Sequence, residues 1–239
     1  MELMLITNDP EYATYAEHAG VDIIFIDLEV EGKLERQGHL NTVISYHTVD
    51  DIPKVKAVLN KAKLLVRVNP YNEKSKGEIN KAIEYGADII MLPMFKSEHE
   101  VKEVHKIIGN RAEFIPLLET KSALDNIEKI IKLGLFKKIH IGLNDLHLDL
   151  KLDHMLDLLD NGIIDDLVLK LNSYGIDYGI GGVAAMDKGD VPGNIVLRKY
   201  LALESKRVIL SRAFHGNYNS DLNFEVQQLR CQILKFLSV

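Results

Sequence analysis

The 239-residue chain predicts a (β/α)8 TIM barrel with an additional C-terminal helix, and three observations carry that expectation. Eight short, near-continuous apolar runs alternate with stretches of helical spacing along the whole chain. Runs of this kind suit strands buried on both faces, as in a parallel sheet. The length is close to the roughly 250 residues of a single barrel, and a 46% apolar content supplies a core. A doubly wound open sheet is the competing architecture. Its dinucleotide fingerprint is missing from the first strand–helix turn, Thr7-Asn8-Asp9-Pro10, and no Walker sequence occurs. The expected organisation is one barrel domain over 1–239, with 221–237 as its C-terminal helix.

The strands are expected at Leu3–Thr7, Asp22–Leu28, Leu64–Asn69, Asp88–Pro93, Glu113–Leu118, Lys138–Leu143, Asp177–Gly182 and Arg207–Arg212. Asn80–Tyr85 reads as the end of a helix stopped by Gly86, directly before the fourth strand. Leu124, Ile127, Ile130, Ile131 and Leu135 form one helical stripe, with Gly134 as its stop signal. Two long polar stretches interrupt the pattern. Glu29–Asp51 is rich in Glu, His, Arg and Gly, and loops of that length inside a compact domain are often functional. Asp145–Asp166 carries many acids without EF-hand spacing, and Leu152, Met155, Leu156 and Leu159 predict an amphipathic helix within it. The last segment places Leu222, Val226, Leu229, Ile233 and Leu237 on one helix face.

Composition removes several function classes. The net charge is −6 with no long basic run, which argues against a nucleic-acid partner. No stretch approaches eighteen apolar residues and the first residues lack a secretory pattern, so no membrane association is expected. One cysteine, Cys231, excludes an intramolecular disulfide and suggests a reducing, cytoplasmic setting; packing is its expected role.

Barrel active sites lie at the carboxyl ends of the strands. Reading those ends gives Asp27, Glu29, Arg67, Asn69, Pro93, Glu119, Asn144, Asp145, Gly181 and Gly182. Glu119 and Asp145 follow successive strand runs. Neighbouring strands lie about 5 Å apart, so the two carboxylates could share one hard divalent cation such as Mg²⁺ or Mn²⁺. Capping of the following helices is the structural alternative for each acid alone. Arg67, in the apolar run Val66-Arg67-Val68-Asn69, needs an anionic partner, either a structural acid or a substrate carboxylate gripped by its fork. Gly181 and Gly182 could pack tightly or present backbone N–H groups to a carboxylate or phosphate. His39 and His47, in the long loop after strand two, are candidate general bases; His140, inside strand six, reads as a core histidine.

Five motifs occur in order: Phe25-Ile26-Asp27-Leu28-Glu29, Val66-Arg67-Val68-Asn69-Pro70, Asp88-Ile89-Ile90-Met91-Leu92-Pro93-Met94, Leu118-Glu119-Thr120 and Gly142-Leu143-Asn144-Asp145-Leu146. Together they resemble the HpcH/HpaI aldolase and citrate lyase β-subunit family, among the phosphoenolpyruvate/pyruvate-binding barrels. The resemblance implies a divalent-metal-dependent carbon–carbon lyase that acts on a small 2-keto acid through a metal-stabilised enolate. It implies Glu119 and Asp145 as metal ligands, Arg67 as the clamp for a substrate carboxylate or carbonyl, and Asp27 and Glu29 beside the metal's water network. Family members often exchange the C-terminal helix between subunits, so a homo-oligomer is expected. The chain departs from both branches. Val30 and Leu117 stand where the aldolase branch commonly has a histidine and a glutamine, and Val30 also breaks the Asp-Leu-Glu-Asp of the lyase branch. The base is then His39, Lys33 or a metal-bound hydroxide. A keto-acid-binding barrel without turnover and an acyl-CoA lyase, with Lys33, Arg36, Lys74 and Lys76 at the mouth, are the alternatives.

Overall fold

All eight expected strands form, and each pairs in parallel with its neighbour in sequence. A computed structural model describes residues 1–30, 46–186, 191–211, 214 and 222–238. The strands are β1 (Glu2–Ile6), β2 (Ile23–Asp27), β3 (Lys63–Arg67), β4 (Ile89–Leu92), β5 (Glu113–Leu118), β6 (Lys138–Ile141), β7 (Asp177–Val183) and β8 (Arg207–Leu210). The pairing of β1 with β8, with Leu3 opposite Val208 and Leu5 opposite Leu210, closes the barrel. The helices are α1 (Pro10–Ala19), α2 (Asp51–Lys56), α3 (Ser75–Glu84), α4 (Glu98–Ile108), α5 (Lys121–Ile131), α6 (Leu143–Asp149), α7 (Asp157–Asp160), α8 (Ile163–Ser173), α9 (Gly193–Ala202) and α10 (Leu222–Leu237). Strand–helix alternation thus gives the (β/α)8 barrel with a C-terminal helix.

Local chemistry sets the boundaries that matter for the site. Asp9 caps α1 by accepting from the N–H groups of Glu11 and Tyr12, and Pro10 occupies the first turn where no N–H is needed. Thr120 caps α5 through the Ala123 N–H while donating its hydroxyl to the Phe95 carbonyl, 2.8 Å away. That double bond fixes the chain immediately after Glu119. Gly86, at φ 108°, ends the turn between α3 and β4, as its place before the strand predicts.

Side chains alternate between two compartments. Met4, Ile23, Phe25, Leu65, Ile89, Met91, Ile115 and Leu117 form a cluster of strand residues that fills the barrel. Their strand neighbours, such as Leu3, Ile24, Leu64 and Ile90, join helix residues such as Ile52, Ile79, Val101 and Ile127 in the surrounding shell. The same alternation places charged residues above and below the apolar plug.

Three expectations need correction. Leu143 begins α6 rather than ending β6, because Gly142 adopts the extended N-cap conformation (φ −87°, ψ 97°); Asp145 therefore stands in the first turn of a helix. Within the stripe Leu152–Leu159, only Asp157–Asp160 is helical. Leu152, Met155 and Leu156 reach the core from turns, so they are apolar for packing and not as a helix face. Cys231 is exposed on α10 and does not pack.

The C-terminal helix docks on its own barrel. Leu222, Val226, Leu229 and Ile233 are buried, whereas Leu237 is exposed. Gln227 donates to the Ala19 carbonyl at the end of α1, and Arg230 reaches the carbonyls of Met1 and Gly20 and the Asp22 carboxylate. The buried stripe thus covers α1 within its own chain. Among the described residues, no helix is long and apolar enough to cross a membrane.

Candidate active site

The carboxyl-terminal mouth gathers Asp27, Glu29, Arg67, Glu119 and Asp145 as the sequence predicts. The register explains why. Asp27 ends β2 directly opposite Arg67, which ends β3. Both side chains point inward, one step above the apolar layer of Phe25 and Leu65. Arg67 presents Nε and Nη2 to the two oxygens of Asp27 at 2.9 and 2.8 Å. Its Nε is also 3.4 Å from Glu29, its Nη1 lies 4.0 Å from Glu119, and its guanidinium sits 5.4 Å from the Phe25 ring centre. A bidentate pair of this kind is strong and directional.

The acids outnumber their cation. Asp27 is 1% exposed, Glu29 2% and Glu119 4%, so water screens them poorly. Burial alone would lower the pKa of Arg67; Asp27, Glu29 and Glu119 instead hold its proton and raise the pKa. Burial, Glu29 and Asp145 push the Glu119 carboxyl well above its ordinary value, and Arg67 and the Met94 N–H only partly offset them. The Met94 N–H donates to Glu119 Oε2 at 3.2 Å from a left-handed backbone, φ 52°. Such a backbone is uncommon outside glycine and marks a locally strained corner.

Two glycines make room. A Cβ on Gly142 would come within 2.7 Å of Glu119 Cγ, so the Glu119 side chain can lie over the start of α6 only because residue 142 lacks one. Gly181, at φ 50°, sits where a Cβ would meet the Tyr200 hydroxyl at 2.4 Å and Leu143 at 3.1 Å. It therefore abuts the helix that carries Asp145, and Gly182 follows it within β7.

Around this centre, His47 Nδ1 accepts the Asp27 N–H at 3.0 Å, so its ring proton is on Nε2 when the ring is neutral. Asn69 receives the Val30 N–H and donates to Glu78. The returning end of the loop after β2 is tied down by Asp51, whose carboxylate accepts from Asn8, from the Thr48 N–H and hydroxyl, and from Lys54. Burial would raise the pKa of Asp51, but these bonds hold it at about 2. Sequence reasoning missed Asp51 and the His47 bond, since neither residue sits at a strand end. The repeated Asp50-Asp51 before a helical stretch is the one cue available. His39, Lys33 and Arg36 lie outside the described residues. His140 is fully buried, as expected of a core residue.

The free choice left to Arg67 is narrower than its sequence position suggests. Asp27 takes the Nε–Nη2 edge, so a ligand can use only the end edge formed by Nη1 and Nη2. Leu117 is buried in the apolar plug and Val30 is half exposed, and neither offers a polar group.

Known proteins resemble this chain in sequence and in fold. In sequence, 67 residues are 30% identical to a pyruvate kinase from Agrobacterium vitis, over 28% of this chain and 14% of that enzyme. The fold is similar to that of an HpcH/HpaI aldolase from Desulfitobacterium hafniense DCB-2, with a TM-score of 0.69 at 12% identity over 99% of this chain and 92% of the other. A Burkholderia cenocepacia J2315 protein of the HpcH/HpaI aldolase/citrate lyase family gives 0.69 at 15% identity, over 100% and 95%. The citrate synthase SbnG gives 0.66 at 13% identity, over 99% and 93%. The sequence pattern of the HpcH/HpaI aldolase/citrate lyase family matches residues 2–160, a span that contains Asp27, Glu29, Arg67, Glu119 and Asp145. This chain belongs to the HpcH/HpaI aldolase/citrate lyase family.

Proposed function

We propose that the protein is a divalent-metal-dependent carbon–carbon lyase of the aldolase type, acting on a small 2-keto acid. The observation that carries this reading is the acid excess around Arg67. Four largely buried carboxylates share the mouth with one guanidinium, and burial, then repulsion from Glu29 and Asp145, raises the pKa of Glu119 well above its ordinary value. A hard cation relieves that repulsion, and the donor set is all oxygen, as Mg²⁺ or Mn²⁺ prefers. Among the described residues, no three His, Cys, Asp or Glu side chains converge closely enough to hold an ion unaided. Glu119 and Asp145 would hold it as a pair, with water and substrate oxygens completing the shell. When bound, the cation supplies Lewis acidity to the keto oxygen.

The chain's own groups do the rest. The Nη1–Nη2 edge of Arg67 receives the substrate carboxylate or keto oxygen and sets positive charge where negative charge develops. Asp27 fixes that edge by gripping the opposite one. Gly181 and Gly182 form a wall without side chains beside the start of α6. His47, oriented by the Asp27 N–H, is the described histidine nearest this chemistry by its bonding and can pass a proton through Nε2.

A second reading, a keto-acid-binding barrel without turnover, is favoured by the apolar Val30 and Leu117. One experiment separates the two. Purified protein is titrated with Mg²⁺ or Mn²⁺ and then with pyruvate, and separately assayed for pyruvate release from oxaloacetate and 4-hydroxy-2-keto acids. Binding with metal-dependent release supports the lyase. Binding without release supports the second reading, and no binding of either component rejects both.

A further inference from the structure

A buried histidine, His140, bonds to the glycine wall from below. The end of β7 is irregular. Gly179 pairs with Arg207 and Gly182 with Ile209, so the β7 strand carries an extra residue between two pairing points. This is a bulge. Within it, Gly181 takes φ 50°, and two successive carbonyls are received by side chains: Gly181 by His140 Nε2 at 3.1 Å and Gly182 by the Tyr200 hydroxyl at 3.1 Å. The Ile180 N–H is held by Ser205 Oγ at 3.0 Å.

The His140 bond has a fixed sense. A carbonyl oxygen only accepts, so Nε2 carries the ring proton. Nδ1 is buried with no hydrogen-bond partner, against Gly179, where a Cβ would come within 2.4 Å of it. Burial and then the nearby Arg207 charge bring the His140 pKa down to about 3, so the ring is a permanently neutral donor. His140 is therefore paired on one nitrogen only, and that one contact is with the bulge.

The consequence follows from peptide planarity. The Gly181 carbonyl and the Gly182 N–H belong to one trans peptide and point in opposite directions. Holding the carbonyl toward His140 turns the Gly182 N–H away from it. Glycine on both sides of this peptide leaves few steric barriers to a flip, so a donor on the Gly181 carbonyl adds to the β8 pairing of Gly182 in selecting one orientation. We propose that His140 is a positioning residue whose Nε2–H fixes the Gly181–Gly182 peptide and thereby the wall that receives the substrate. The proposal rests on the keto-acid reading for its functional half, but its structural half stands alone.

The test uses His140→Phe, which keeps a flat ring without a donor, and His140→Gln, whose side-chain amide can restore one. In ligand-free protein, the backbone amide resonances of Gly181 and Gly182 are expected to move in the Phe variant and to return toward wild type in the Gln variant. With Mg²⁺ present, pyruvate Kd is expected to weaken about tenfold in the Phe variant, the loss of roughly one buried hydrogen bond. Mg²⁺ affinity should stay unchanged, a split that general destabilisation would not produce. The wild type supplies a check that needs no variant. Nitrogen resonances should show His140 as the Nε2–H tautomer without titration between about pH 5 and 8. Unmoved glycine resonances in a folded Phe variant, a Gln variant indistinguishable from Phe, or a titrating His140 would overturn the proposal. If wild-type protein binds no pyruvate, the substrate reading falls, and the resonances alone decide the positioning claim.

Discussion

At the amino-terminal mouth of the barrel, Lys63, Lys138 and Arg207 face Glu113, Glu2 and Asp177; at the carboxyl-terminal mouth, Arg67 faces Asp27, Glu29 and Glu119, with Asp145 beside Glu119. The lower set balances. Glu113 bridges Lys63 at 3.3 Å and Lys138 at 2.8 Å, and Arg207 reaches Glu2 at 3.4 Å and the Asp177 carbonyl at 3.1 Å. Burial would raise the pKa of Glu113, but Lys138 and Lys63 hold it below the ordinary value. The upper set does not balance, and Glu119 is pushed upward instead. The two arginines show the same contrast. Burial lowers the pKa of Arg207 despite Glu2, whereas three acids raise that of Arg67. One strand set thus ends in partly exposed ion pairs below and an unneutralised acid cluster above. Partly exposed pairs cost little to keep, whereas a buried acid excess is the chemistry that suits a cation.

The strongest way to break this comparison is to exchange the arginines for methionine. Arg67→Met removes the cation paired with Asp27, which is 1% exposed, and removing one partner of a buried pair costs about 3–5 kcal/mol. Arg207→Met should cost less than about 1 kcal/mol, because Glu2 is 40% exposed and can return to water. Chemical denaturation measures both; equal losses would erase the distinction between the mouths. A milder replacement, Arg67→Lys, should leave a folded barrel that no longer binds pyruvate, since an ammonium cannot hold Asp27 and a ligand on two edges at once.

Asp51 sharpens the contrast within the upper mouth, as an acid whose partners satisfy it. Its folded pKa of about 2 lies below the ordinary 3.8, so its stabilisation is complete above that ordinary value and lost as pH falls toward 2. With Lys54 mostly exposed, about 1–2 kcal/mol is expected after allowing for screening. Wild type should therefore lose its advantage over Asp51→Asn between about pH 4 and 2, and identical pH profiles would contradict the assignment.

Much of this was legible in the sequence. Strands buried on both faces announce themselves as apolar runs, and β5 matches its expected span to the residue. The strand-end rule found Asp27, Glu29, Arg67 and Glu119 because these side chains need only the strand's inward alternation to converge. It carried the sixth strand through Leu143, with Asp145 just past its end, because that run is largely apolar apart from His140, and the turn at Gly142 is a matter of backbone angles. The Asp27 grip on Arg67 depends on register across 40 residues, which apolar patterning does not encode. Leu152–Leu159 misled because apolar spacing reports burial, and turns can bury leucines too. The bulge that makes His140 useful leaves no trace beyond Gly179-Ile180-Gly181-Gly182.

The smallest effect concerns assembly. We propose a homo-oligomer in which α10 takes part, with its exposed Phe224, Leu234 and Leu237 as candidates for the contact. Light scattering should give a mass above the 27.0 kDa of one chain, and a monomer at micromolar concentration would remove this proposal. The buried Leu222–Ile233 stripe means that truncation after Ser220 should also destabilise the barrel itself.

The difference between the mouths is that the upper one holds an acid excess suited to a divalent cation and the lower one does not. Calorimetric titration of Mg²⁺ or Mn²⁺ into wild type, Glu119→Gln and Glu113→Gln tests it most directly. The account predicts one site in the wild type, at least about tenfold weaker in Glu119→Gln, with the folded state of that variant no less stable because a repelled carboxylate has gone. Glu113→Gln should bind metal as wild type does while losing about 1 kcal/mol of stability. Equal metal affinity in all three proteins, or a loss confined to Glu113→Gln, would contradict the account.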